Sequence, residues 1–309
     1  MAYPGEPLAQ YVEETGVGGS PVVTLNPTAI RRWIAIEMQR LRQAADHKPE
    51  DAAKRIGKAK TVIHHIETGR NLPAPADLEV LLNLYGVAER VPFFRELVKS
   101  AKRGTDWWIG FTSTVPEWFN LYLGLESAAA RISSYDSQWI PGLFQTREYA
   151  EALYRAGEQR MTDDEVASAV ELRMARQEII TRHDDPPQIW CVLDENALRR
   201  QVGGPDVMRA QLDRLVKLAE LPNVDIQIVP HAIGAHAGAE GTFTILDYPP
   251  DFEGDPGTVY VETRQQGIYY ERPEQVTDYR RVFERLQVQA EKPEKSPALI
   301  SKAQTKDTR

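Results

Sequence analysis

The stretch Glu50-Asp-Ala-Ala-Lys-Arg-Ile-Gly57-Lys-Ala-Lys-Thr-Val-Ile-His-His-Ile-Glu-Thr-Gly69 decides the reading of this chain. Pro49 suits the first turn of a short helix carrying Ala52, Ala53 and Ile56, and Gly57 closes it. A second helix then carries Val62, Ile63 and Ile66 and stops at Gly69. Two short helices joined by a tight turn are a helix-turn-helix layout. The physics is geometric. An α-helix fits the major groove of DNA, its N-terminal side chains reach base edges, and the preceding helix braces it on the backbone. With the apolar residues inward, and Val62 partly exposed, Lys58, Lys60, Thr61, His64 and His65 face the DNA. Lysines supply the phosphate attraction that dominates affinity. Lys48 and Arg70, at the two ends of the motif, complete the candidate DNA-binding set.

The surrounding residues extend the pattern. Ile30, Trp33, Ile34, Met38, Leu41 and Ala45 recur at helical spacing and predict one amphipathic helix. A further helix is expected from about Ala76 to Tyr85, with Leu78, Leu81 and Leu82 inward and Gly86 as its stop. A fifth, Pro92 to Lys102, carries Phe93, Phe94 and Leu97. Residues 28–103 therefore read as a compact all-α domain of five helices. Residues 1–27, rich in Gly and Pro, read as a flexible arm.

Charge divides the chain in the same way. The net charge of −8 over 309 residues, taken whole, speaks against a nucleic-acid partner. It is segregated, however. Residues 1–27 carry −3. Residues 28–103 carry 15 basic against 9 acidic residues, or +6. Residues 104–309 carry 22 against 33, or −11. A basic module beside an acidic one points to polyanion binding by the first. It also makes a contact between the two parts possible that would mask the basic surface. No run approaches the roughly 20 apolar residues of a membrane span, and no secretory signal is read at the N-terminus. The single cysteine, Cys191, excludes an internal disulfide and fits a reducing cytoplasm.

Residues 104–290 read as a larger α+β domain. Its first half is expected to be helical and aromatic, with helical residues as far as Ile132 and a break at Pro141-Gly142. Its second half holds short β-rich runs at Ile189–Leu193, Val224–Val229, Thr242–Asp247, Thr258–Glu262 and Gly267–Glu271 in a mostly antiparallel sheet. The last two should pair as a hairpin. An amphipathic helix over Asp206 to Glu220 lies between the first two, and Gly203-Gly204-Pro205 is the turn into it. From Val282 the chain is helical, and residues 291–309 read as a disordered tail.

Residues 28–86 resemble the helix-turn-helix domain of the phage-repressor and xenobiotic-response-element class. The likeness rests on Arg40-Leu41-Arg42, Glu50-Asp51-Ala52-Ala53, Ile63 and Ile66-Glu67-Thr68-Gly69. It implies that Arg42 pairs with Glu67 as a structural tie between the first and third helices. Residues 107–290 resemble the large, antitoxin-like domain of unknown function in many actinobacterial regulators. That likeness rests on runs such as Val115-Pro-Glu-Trp-Phe119, Tyr122-Leu-Gly-Leu-Glu126, Ile140-Pro-Gly-Leu-Phe-Gln-Thr146, Leu193-Asp-Glu195 and Val202-Gly-Gly-Pro205. It implies a DNA-binding regulator, a possible small acidic partner protein encoded nearby, and an effector of unstated identity. The chain departs from the pattern in the reading helix. Ala59 stands where Ser or Thr would cap it, Lys48 stands before the second helix, and His64-His65 replace a Ser-Arg pair.

The other constellations point to no catalysis and no metal. His231, His236 and Glu240 lie in a Gly/Ala-rich connection that fixes no third ligand. Asp194-Glu195 at a strand end could do acid/base work, but pairing of Glu195 with Arg199 at a helix start is the ordinary explanation. Trp107, Trp108, Trp118, Tyr135, Trp139 and His236 form the candidate effector pocket. No cofactor is expected. The resulting reading is a cytoplasmic, homodimeric transcriptional regulator that binds double-stranded DNA and uses its acidic domain for an effector, a partner or dimerisation. Two alternatives stay open: an interaction module with a vestigial helix-turn-helix, and an enzyme built around Glu195 or His236. Lys58 and Lys60 buried under the acidic domain would count against DNA binding.

Overall fold

The structure is a computed structural model that describes residues 26–111, 116–157, 161–250, 252 and 254–306. Most of the expected arm, residues 1–25, lies outside them. Asn26 and Pro27 belong to the first helix instead. The Asn26 side chain accepts from Ala29 N–H at 2.9 Å, capping α1 (Pro27–Ala44). Then come α2 (Pro49–Arg55), α3 (Lys60–Glu67), α4 (Pro75–Leu84) and α5 (Val91–Arg103). The turns after α2, α3 and α4 fall where the sequence puts glycine, whereas the turn after α1 uses Asp46 at φ +55°. Gly57 has φ +65°, a left-handed conformation that favours glycine between α2 and α3. Ile30, Trp33, Ile63, Ile66, Leu78, Leu81 and Phe94 share one buried core.

The larger unit comprises α6 (Glu117–Ala128), β1 (Arg131–Asp136), α7 (Arg147–Gly157), α8 (Asp163–Arg176), β2 (Gln188–Asp194), α9 (Glu195–Arg199), α10 (Pro205–Leu218), β3 (Val224–Val229), β4 (Phe243–Asp247), β5 (Thr258–Glu262), β6 (Gly267–Tyr270), α11 (Pro273–Gln289) and α12 (Ser296–Lys306). Its described residues form a six-stranded sheet ordered β3-β2-β1-β4-β5-β6. The first three strands pair in parallel, and β4 to β6 add on antiparallel. β5 and β6 form the expected hairpin. α11 covers one face through Val276, Phe283 and Leu286. Helices including α6 and α10 cover the other, where Leu125, Leu212 and Leu215 meet Ile132, Cys191 and Ile226.

Two expectations are corrected. The helical first half of this unit contains β1, the strand on which the parallel and antiparallel parts meet. Its buried Ser133 and Ser134 carry no apolar alternation, so its burial comes from β2 and β4 on either side. The tail over 291–309 is not disordered where it is described. Ile300 and Ala303 sit at helical spacing on α12, and both are buried in the main core. Ile300→Ala is therefore expected to destabilise the chain by about 2–5 kcal/mol. Urea unfolding measures this, and a loss below about 1 kcal/mol would contradict the packing.

The two units interlock. Asn26 Nδ2 donates to the Gly124 carbonyl at 2.7 Å and to Ser127 Oγ at 2.9 Å, tying α1 to α6. A side chain at Gly124 would meet Thr28 Cγ2 at 2.6 Å, so the approach of the two helices requires glycine there. Arg32 on α1 is buried against Asp255 and Glu271 of the large unit, with Arg32 Nη1 2.6 Å from Asp255 Oδ2. Phe252 inserts beside Trp33, ring centroids 5.2 Å apart. The acidic part thus grips the basic part through α1.

Candidate functional site

The bracing of α3 comes first. Arg42 Nε donates to Glu67 Oε1 at 2.6 Å and Nη2 to Glu67 Oε2 at 2.9 Å, a bidentate pair that joins α1 to the end of α3. Arg42 Nη1 also reaches the His47 carbonyl at 2.6 Å, fixing the connection into α2. The hydrogen bonds to Glu67 and the charge of its carboxylate hold the guanidinium above its ordinary pKa, against the effect of burial. Asp51 accepts from the Lys48 backbone N–H at 3.0 Å and steadies the start of α2. At Ala59 no side chain caps α3, and in its first turn Val62 N–H is met by the Ala59 carbonyl at 2.9 Å.

With Ile63 and Ile66 buried, α3 presents Lys60, Thr61 and His64 outward, and all three are exposed. Lys48, Lys58 and Arg70 are exposed too, and His65 is half-buried with Nε2 3.5 Å from Arg70 Nη1. Lys60 pairs with Glu50 at 2.6 Å, both side chains being more than half exposed, so solvent screens the pair and the lysine is readily released. Lys58 contacts Asp77. Beside α3 runs a groove of about 360 Å³ in which Arg31 from α1 and Lys102 from α5 join Lys58 and Arg70. Arg31 and Lys102 are absent from the set read in the sequence. Their signal is tertiary: they lie about 30 residues before and after α3, and only the helix packing brings them together.

The expected aromatic pocket does not form as one site. Strand alternation puts Tyr135 on the α11 face of the sheet, with His236 at 5.8 Å edge-to-face, whereas Trp118 lies on the opposite face. Trp108 is buried against Leu123 and Leu172, and Trp107 stands half-exposed on its edge. Trp139 lies under the Arg200 guanidinium, 4.9 Å away. A different cavity of about 500 Å³ opens between α6, α8 and the sheet. Of the expected set it takes only Trp118, and it adds Phe119, Tyr122 and Tyr260. At its floor Arg176 forms a buried bidentate pair with Glu126, both bonds 2.8 Å.

The His231/His236 loop is tied by hydrogen bonds to the end of β2 and the start of α9. Gly238 N–H donates to His236 Nδ1 at 3.1 Å, so the ring proton sits on Nε2, which meets Asp194 Oδ2 at 3.2 Å. Both ring nitrogens are thereby engaged. Asp194 Oδ1 caps α9 through Asn196 N–H at 2.8 Å, and Glu195 accepts from Arg199 and from His231 N–H. Among the described residues no group of three His, Cys, Asp or Glu side chains could hold a metal. Burial pushes the Cys191 thiol up, away from nucleophilic use. No described helix is long and apolar enough to cross a membrane.

Comparison with known proteins agrees with this division. Residues 33–91 match a helix-turn-helix domain. Residues 119–302, more than half of the chain, match the family described as domain of unknown function DUF5753. The chain belongs to that family. A helix-turn-helix domain followed by a DUF5753 domain fits a helix-turn-helix regulator, and the DUF5753 match runs through the cavity and into α12. No curated protein and no solved structure matches the chain.

Proposed function

We propose that this DUF5753 protein is a homodimeric transcriptional regulator that reads double-stranded DNA with α3 and houses an effector in its large domain. The observation that carries the reading is the exposed polar face of α3, held from behind by the Arg42–Glu67 pair and clear of the acidic contact at Arg32. Lys58, Lys60, Arg70, Arg31 and Lys102 would meet phosphates, while Thr61 and His64 would meet base edges. A second copy supplies the second half-site, since one reading helix covers few base pairs. With DNA as its ligand the protein works in the cytoplasm. A small acidic partner would be repelled by the −11 of residues 104–309 and would compete with DNA for the basic face.

The test is a gel shift with DNA from the protein's own promoter region at two salt concentrations. Lys60→Ala is expected to weaken binding about equally on all sequences and to reduce the salt slope by about 1. Absence of any shift at low salt would refute the reading.

A further inference from the structure

The cavity beneath α6 has a chemistry that neither the fold nor the DNA-binding face explains. Its walls are aromatic: Trp118, Phe119 and Tyr122 on one side and Tyr260 on the sheet. Phe119 and Tyr122 stack at 5.3 Å, and Tyr122 and Tyr260 lie 4.2 Å apart, so the rings form a continuous surface. Three carboxylates line it, and they are not equivalent. Glu126 is fully committed to Arg176. Glu262 accepts only from the Tyr260 hydroxyl at 3.0 Å among the described residues. Asp136, at the end of β1, has its Oδ2 buried with no hydrogen-bond partner among the described residues.

A buried carboxylate oxygen without a donor is costly unless something arrives to meet it. Burial, opposed by the Ser134 hydroxyl and aided by the like charge of Glu262, pushes the Asp136 carboxyl up to about 7. A cation would relieve both effects, and aromatic faces around it add attraction of their own. The volume of about 500 Å³ falls within the range of small-molecule sites. Arg173 and Arg264 also line the cavity. Arg173 donates to Gln145 Oε1 at 2.5 Å and to the Tyr154 hydroxyl at 2.9 Å, and its guanidinium lies over the Tyr154 ring, while its Nε is buried with no hydrogen-bond partner among the described residues.

We infer that this cavity binds a small organic cation, a protonated amine on an aromatic or apolar body, with the ammonium at Asp136 and the body against Trp118, Phe119, Tyr122 and Tyr260. The inference rests on the reading of the large domain as an effector module and names the effector's chemical class. Its test needs no DNA. Calorimetry on the full chain at pH 8 compares 2-phenylethylamine with 3-phenylpropionate, bodies of similar size and opposite charge. The amine is expected to bind at least tenfold tighter. Asp136→Asn, which keeps the side-chain shape, should abolish that preference, and Glu262→Gln should reduce it, with circular dichroism unchanged in both variants. Equal binding of the two probes, tighter binding of the carboxylate, or an unchanged preference in Asp136→Asn would overturn the proposal. Because the probes are read without DNA, amine binding with no gel shift would fail only the DNA reading. A gel shift with no amine preference would fail only this one.

Discussion

Replacing Arg32 with alanine is expected to cost the folded chain about 3–5 kcal/mol, the penalty of breaking a buried ion pair and leaving its partner uncompensated. Arg32 comes from the helix-turn-helix part, and its partners come from the sheet unit. Nη1 and Nη2 reach Asp255 at 2.6 and 3.3 Å, Nη2 reaches the Gly257 carbonyl at 3.4 Å, Nε meets Glu271, and the guanidinium lies 4.8 Å from the Tyr248 ring. The Asp255 side chain is only 2% exposed, so once stranded it cannot turn to water. Urea unfolding followed by tryptophan fluorescence reads the loss. The variant Arg32→Met with Asp255→Asn removes both charges while keeping bulk. It should recover more than half of the lost stability if the stranded carboxylate is the cause. A loss below about 1 kcal/mol in Arg32→Ala would mean that the two units do not depend on this contact.

The interlock also explains which parts of the molecule were legible in its sequence. Local periodicity exposes the helices of residues 28–103, because each buries one stripe and all but the first, which turns at Asp46, stop at a glycine. Gly57, Gly69 and Gly86 all have positive φ, at 65°, 70° and 77°. The Arg42–Glu67 tie followed from the family likeness, since its partners lie on different helices. β1 was hidden because a strand bounded by Arg131 and Asp136, with two serines inside, has no apolar rhythm of its own. The cavity was hidden for a related reason. Tyr260 lies far along the chain from Trp118, whereas Tyr135, closer in sequence, alternates to the other face of the sheet. Aromatic neighbours in sequence are therefore a poor guide to aromatic neighbours in space once a strand intervenes. The boundary at residues 103 and 104 follows the end of the fifth helix and agrees with the change in charge, and neither local periodicity nor composition marks contacts. Asp255 and Phe252 cross that boundary with no signal near it.

Phe252 carries the second large effect. Its ring is buried and packs on Trp33, which itself meets Phe94 at 5.5 Å and Phe93 edge-to-face at 5.9 Å. A residue of the sheet unit therefore completes the core of the helix-turn-helix part. Truncation to Phe252→Ala should cost about 3–5 kcal/mol, the usual range for emptying a buried aromatic site, because Trp33 is already held by Phe93 and Phe94 on its other sides. The denaturant slope should stay unchanged if the native and unfolded states keep their compactness. Fluorescence of Trp33, read after the other tryptophans are replaced by phenylalanine, should shift at lower urea than in the parent. A variant as stable as the parent would show that Phe252 merely covers Trp33. A large loss would establish that residues 28–103 do not form a self-sufficient domain. The DNA affinity proposed for α3 would then depend on the stability of the whole chain, and a fragment ending at residue 103 would underestimate it.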